Sequence, residues 1–261
     1  MNDETAGAPA STELQQARQQ IAQLQQQLAQ AGQALEDFTY SVSHDLRASL
    51  RHVSAYLKII REDLGSGDPA AIVSHLDTAG NAAAHMARLM DGLQELSRVG
   101  RAEMQRCSLD FSRLISDVRH QLEADTAQRK IEWQVAPDLP KVWGDMALLG
   151  QMLVQLLGNA LKFTRDCPVA RIEVGWERRD DGSCELRIRD NGVGFDPRFQ
   201  DRLFRVFQRL HSPKQFEGIG IGLALARRVV ERHGGRIWAS GAMGAGCQIS
   251  FTLPLPAAGV P

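Results

Sequence analysis

The sequence predicts an α plus α/β chain: an N-terminal coiled coil and helical hairpin, then an α/β sandwich. Three observations carry this. Apolar residues recur at three- and four-residue spacing from Leu14 to Leu64. Gly65-Ser66-Gly67-Asp68-Pro69 breaks that run before a second amphipathic stretch begins. From about Leu109 short strand-like runs alternate with helical ones. Periods of 3.6 and 2 along one chain mark helices and half-buried strands, and their interleaving implies a sheet covered by helices.

Residues 1–12 are small, polar and acidic and are expected to be a disordered N-terminus. Leu14, Ala17, Ile21, Leu24, Leu28, Ala31 and Leu35 form a heptad seam with glutamines at the outer positions, so residues 13–35 read as a parallel coiled coil. The seam shifts at Phe38, Val42 and Leu46, spaced four and four, and the heptad resumes at Leu50, Val53, Leu57, Ile60 and Leu64. Such a stutter changes the supercoil locally. His44 lies beside it, about 200° of helical arc from Val42, and faces outward. The second helix presents Ile72, Leu76, Ala79, Ala83, Met86, Met90 and Leu93 on one face, and Val99-Gly100-Arg101 reads as the start of a linker. Two such hairpins pack as a four-helix bundle, so the expected assembly is a homodimer.

In the second half, Phe111 to Gln128 reads as a helix and Ile131 to Val135 as a strand, and Asp145 caps a helix running to Lys162. Arg171 to Glu177 and Glu185 to Arg189 are strands around Asp180-Asp181-Gly182. A helix from Gly220 to His233 stops at Gly234-Gly235, and Arg236 to Ser240 with Gln248 to Leu253 closes a hairpin.

Composition narrows the class. The 261 residues are 43% hydrophobic and 23% charged, as in core-forming proteins, and the net charge of −1 gives no pull toward nucleic acid. Cys107, Cys167, Cys184 and Cys247 are scattered and read as reduced thiols, the pattern of a cytoplasmic protein. No signal peptide is expected at the N-terminus, and Ala147 to Leu161, interrupted by Gln151 and Gln155 and too short for a bilayer, is not expected to span a membrane.

Four short blocks carry the chemistry. Asn159 and Lys162 share a helix face; an amide oxygen suits a hard cation and an ammonium suits a polyphosphate. Asp190 ends a strand and enters a loop with Gly192 and Gly194, where a carboxylate can accept from an amino group and the glycines admit close backbone approach. Gly218, Gly220 and Gly222 precede Leu223 and a helix whose N-terminal amides can receive phosphate. His44 is flanked by Ser43 and by Asp45-Leu46-Arg47; an imidazole can attack a phosphoryl group through one nitrogen while a carboxylate holds the proton on the other. Of the seven histidines, the other six read as solvated side chains.

These blocks, in this order, resemble the phosphoacceptor, N, G1 and G2 boxes of sensor histidine kinases, and Leu203-Phe204-Arg205-Val206-Phe207 matches the F box. The segment from Phe207-Gln208-Arg209-Leu210-His211 to Phe216-Glu217-Gly218 is similar to the phytochrome-associated branch. The resemblance implies a dimerisation and phosphotransfer domain at residues 36–101, a gyrase-type ATP-binding domain at 105–256 and a tail at 257–261. It implies that His44 is autophosphorylated from Mg-ATP, with Asp45 the candidate to orient or accept its proton, and that the phosphoryl group passes to an aspartate of a response regulator receiver domain. It also implies roles: Asn159 for magnesium, Lys162 for phosphate, Phe163 for stacking on adenine, Asp190 for the adenine amino group, and Arg209 and Lys214 as basic lid residues. Sensory input would act in trans or belong to a longer parent chain.

The chain departs from the family pattern at Ala48, Ser49, Gln155 and Ile219. Gyrase- or chaperone-like ATPases use a glutamate base at the position of Gln155, and glutamine cannot serve as one. A non-catalytic dimeric scaffold is the other competing class.

Overall fold

Two long helices precede the sheet. The structure, a computed structural model, describes residues 8–64, 68–123, 126, 129–212 and 215–257, with part of the side chains between residues 8 and 41. The chain divides into two compact units, Met1–Ala48 and Ser49–Pro261.

Helix α1 spans Ala8–Asp63 and so begins inside residues 1–12. It runs unbroken through Ala48 and Ser49, where a proline would have removed a backbone donor. Most of the heptad side chains before residue 41 lie outside the described residues; Ile21 is exposed, and Val42 and Leu46 are half-buried. Helix α2 spans Pro69–Arg101, with proline at its first position and the Asp68 carboxylate accepting from the Ala70 N–H at 3.0 Å. His75 of α2 lies 3.9 Å from the Asp63 carboxylate, and its ring lies 5.6 Å from that of Tyr56. Leu50, Leu57, Val73, Leu76 and Met90 remain exposed on these two helices, as does Leu64 just past α1.

Helix α2 passes through Val99-Gly100-Arg101, which the sequence assigned to a linker. Val99 is fully buried, and the Arg232 guanidinium donates to the carbonyls of Val99 and Ala102, supplying partners for the end of the helix. A local glycine signal was overridden by a tertiary cap.

The remaining elements are β1 (Arg106–Asp110), α3 (Phe111–Leu122), β2 (Ile131–Val135), β3 (Lys141–Asp145), α4 (Met146–Phe163), β4 (Ala170–Arg178), β5 (Ser183–Asp190), α5 (Gly222–Arg232), β6 (Ile237–Gly241) and β7 (Cys247–Pro254). A 3-10 turn covers Pro197–Arg202. The main sheet has the order β2-β4-β5-β7-β6, with β2 parallel to β4 and every other pair antiparallel. Strands β1 and β3 form a separate antiparallel ladder. Helix α4 supplies the core: Leu148, Leu149, Met152, Leu153, Leu156, Leu157, Ala160 and Leu161 are all buried. It is the one described helix apolar and long enough to cross a membrane, and this buried face explains that composition.

Its start is over-determined. The Asp145 carboxylate accepts from Leu148 N–H at 3.0 Å and from Gln105 N–H at 2.8 Å. Burial pushes the carboxyl upward, but these donors, with Ala147 N–H and the adjacent His233, hold it below its ordinary value. The Asp145 N–H donates to His233 Nε2 at 3.0 Å, while His233 Nδ1 donates to the Val229 carbonyl at 2.7 Å. His233 is therefore a buried core residue, contrary to the solvated reading, and burial holds its pKa low.

Candidate active site

The C-terminal turn of α4, the G1 loop and the approach to α5 converge on one cavity of about 250 Å³. Asn159, Lys162 and Phe163 project into it from α4; Gly194 comes from the loop after β5; Arg209, Gly218, Gly220, Gly222 and Leu223 come from the segment leading into α5. Asp190 and Gly192 are not among its lining residues. Asp190 Oδ1 accepts from Gly192 N–H at 2.8 Å and from Cys247 N–H at 3.3 Å, and Cys247 lines the cavity. Lys214 lies outside the described residues.

Burial sets the charges here. The Asp190 carboxyl is pushed up to about 6 by desolvation, against the pull of its two backbone donors. Burial lowers the Lys162 ammonium, Glu217 opposing and Arg209 and Arg165 reinforcing the shift. Its Nζ sits 4.6 Å from the centre of the Phe163 ring, a cation–π contact. The Cys247 thiol is raised to about 12 by burial and by the Asp190 charge, which makes it inert.

The backbone is shaped for close approach. Gly194 has φ +62°, and a Cβ there would run into the Ala242 carbonyl. Gly220 has φ +76°, and a Cβ would lie 2.7 Å from the Gln208 carbonyl oxygen. The Gly220 carbonyl in turn accepts from Phe207 N–H at 2.9 Å, and Phe207 holds a left-handed φ of 61°. Helix α5 begins with no side-chain hydrogen bond from its capping residue, Ile221, and its first residues, Gly222 and Leu223, line the cavity.

Several wall residues belong to the segment that resembles the phytochrome-associated branch but were given no role of their own from the sequence. Gln208, Leu210, His211, Phe216 and Glu217 all line the cavity. Arg165, one turn beyond Lys162, pairs with Glu217 at 2.9 Å and donates to the Gln215 carbonyl, while Arg209 donates to the Phe216 carbonyl. Arg209 is thus bound to backbone in this structure. His211, read from sequence as solvated, packs its ring against Phe163 and Phe216.

In the other unit, His44 is exposed and its Nδ1 lies 3.0 Å from Asp45 Oδ1. A carboxylate oxygen only accepts, so in a neutral imidazole that bond puts the proton on Nδ1 and the lone pair on Nε2. Among the described residues no group of three acidic, histidine or cysteine side chains is placed to hold a metal ion.

A family described as histidine kinase-, DNA gyrase B- and HSP90-like ATPase matches residues 144–257. The methanogenesis regulatory histidine kinase FilI of Methanothrix harundinacea is 35% identical over 85% of this chain and 25% of its own length. Cyanobacterial phytochrome B of Nostoc sp. is 32% identical over 91% of this chain and 32% of its own. The chain therefore spans about a third or less of these relatives. Full-length ShkA, solved in complex with AMPPNP, superposes with a TM-score of 0.56 at 25% identity, over 84% of this chain and 45% of that one.

Proposed function

The chain belongs to the sensor histidine kinase family, and we propose that it binds Mg-ATP in the α4–α5 cavity, phosphorylates His44 and passes the phosphoryl group to a receiver-domain aspartate on a response regulator. The observation that carries this is the meeting of Asn159, Lys162, Phe163 and the uncapped start of α5 around one cavity. An ammonium and a helix N-terminus are complementary to a polyphosphate, and an aromatic face is complementary to a base. ATP supplies the transferable phosphoryl group. Asn159 would contribute an amide oxygen to a magnesium ion carried on the phosphates, which fits a cavity without an acidic cluster. Asp190 would read the adenine amino group.

The chain's own contribution to transfer is orientation. Asp45 fixes the His44 proton on Nδ1 so that Nε2 is the nucleophile, and Lys162 offsets phosphate charge. Phosphoryl transfer asks for little else beyond positioning and neutralisation. Gln155 lines the cavity but has no ionisable group, so it cannot activate water as a gyrase-type glutamate does. The exposed apolar residues of α1 and α2 suit a homodimeric four-helix bundle, and sedimentation as a monomer at micromolar concentration would remove that part of the reading. A cytoplasmic location accords with free thiols throughout the described residues.

The deciding test uses γ-labelled ATP. Label should stay on the protein, labile to acid and stable to base, and His44→Gln should bind ATP but take up none. Free phosphate alone would indicate an ATPase, and label retained by His44→Gln would place the acceptor elsewhere.

A further inference from the structure

Phe163, His211 and Phe216 form a closed triangle of rings, with centroids 5.4 Å apart for Phe163–His211, 5.0 Å for Phe163–Phe216 and 5.4 Å for His211–Phe216. All three line the cavity. Two corners are fixed independently of ligand. Phe163 is the last residue of α4, and Phe216 is buried, with its carbonyl held by Arg209 and its ring under the Arg165 guanidinium at 4.9 Å. The third corner, His211, is held by one polar contact: Nε2 lies 2.9 Å from the Gly194 carbonyl oxygen. A carbonyl only accepts, so Nε2 carries the proton and donates. The acceptor sits in a tightly packed turn: a Cβ on Gly194 would run into the Ala242 and Gly246 carbonyls, and the neighbouring Val193 N–H donates to Phe163 O at 3.2 Å.

We propose that His211 is a nucleotide-retaining residue: aimed by its bond to the Gly194 carbonyl, its imidazole completes, with Phe163 and Phe216, an aromatic enclosure for the base of a bound purine nucleotide. This rests on the nucleotide reading of the cavity and adds a residue that the motif pattern leaves unassigned. The ring supplies stacking surface, and the hydrogen bond fixes its orientation before the ligand arrives, which lowers the ordering cost of binding. Aromatic stacking on bases is sequence-tolerant, so His211 should hold adenine and guanine nucleotides alike and leave discrimination to Asp190.

The test is release of ribose-labelled fluorescent ADP from the full chain, followed by stopped flow, beside the ligand-free melting temperature. His211→Ala loses ring and bond and should release ADP about tenfold faster or more. His211→Phe keeps a ring and loses only the N–H donor, so release should quicken about threefold. His211→Ala should also lower the ligand-free melting temperature, because the ring packs on Phe163 and Phe216 and its N–H bonds the Gly194 carbonyl, so release is read well below both melting temperatures. Wild-type release from either variant overturns the proposal, as does equal acceleration in the two, since the ring kept by His211→Phe would then contribute nothing. Failure of the unaltered chain to bind the labelled ADP at all would instead overturn the nucleotide reading, and this inference with it.

Discussion

Asp190→Asn should make the ATP-binding domain more stable and a worse nucleotide binder at the same time. Asp190 is 7% exposed, and its carboxyl is raised from 3.8 to about 6 by desolvation. The folded state therefore holds that proton more tightly than the unfolded chain does. Below about pH 4 both states are protonated and the residue is neutral in the balance; as pH rises through 6 the folded protein must ionise a buried group, and stability is lost. A shift of about two units corresponds to roughly 3 kcal/mol at pH 7.5, of which relaxation would leave about 1–3 kcal/mol. Asparagine carries no charge, and its Oδ1 can still accept from Gly192 and Cys247. The variant should thus gain about 1–3 kcal/mol in urea unfolding at pH 7.5, and the gain should shrink toward zero near pH 4. Its amide nitrogen would then face the adenine amino group, donor against donor. Loss of one charge-assisted hydrogen bond, about 1.5–3 kcal/mol, weakens ATP by roughly 10- to 150-fold in calorimetry. In the unaltered chain, affinity should also fall as pH drops below about 6, while the variant's stays flat. A variant no more stable than the parent at pH 7.5 refutes the buried-charge argument, and ATP affinity within twofold of the parent refutes the assignment of Asp190 to adenine.

Two other expectations follow from particular side chains. His233 is buried, neutral and an acceptor from Asp145 N–H, with its pKa lowered by burial; its contribution should be complete above about pH 6.5 and decline as pH falls toward the folded pKa. His233→Phe should cost about 1–3 kcal/mol at pH 7.5 by orphaning that N–H, and should flatten the acid limb; an unchanged limb in urea titrations across pH 5–7 would show that His233 does not titrate there. Ala48 lies four residues beyond His44 on α1, where kinases of this family commonly carry a threonine or asparagine thought to position water on phospho-aspartate. Ala48→Thr should speed dephosphorylation of the cognate receiver and leave autophosphorylation unchanged; an unaltered chain already fast in that assay, with no gain from threonine, removes the role.

The long helices, the α4 core and most of the sheet were legible because their signals are local: period, N-cap and turn residues. Asp145 was readable as a cap from its place before an apolar run, and it does cap Leu148. Strands β1 and β3 were not, because they are short and pair across more than thirty residues, and Leu109 is the one buried side chain of β1. The same limit applied at the cavity. Asn159, Lys162 and the glycines belong to blocks whose spacing announces them, whereas Arg165, His211 and Phe216 act only through the folding of one segment over another. A histidine in a loop gives no sign that a carbonyl seventeen residues earlier will orient it.

Ile219 shows how a departure from a motif can be explained by the fold. In the family a threonine commonly stands there, and the missing hydroxyl is one of the four departures, with Ala48, Ser49 and Gln155, that motivate the scaffold alternative. In the structure Ile219 is half-buried, lines the cavity, and borders the groove against α2. Its partner in that groove is Gly92, where an added Cβ would lie 2.9 Å from Ile219 Cδ1 and would collide with Ile221 Cδ1. The glycine is a notch in α2 and the two isoleucines fill it, so an apolar side chain at 219 trades a hydroxyl near the nucleotide for contact with the neighbouring helix. Dispersion contacts of this kind need close complementarity on both sides, and a residue kept for its hydroxyl would not supply it. The substitution is therefore accounted for by packing, and it no longer weighs against a working ATP site bounded by Asn159, Lys162 and the start of α5.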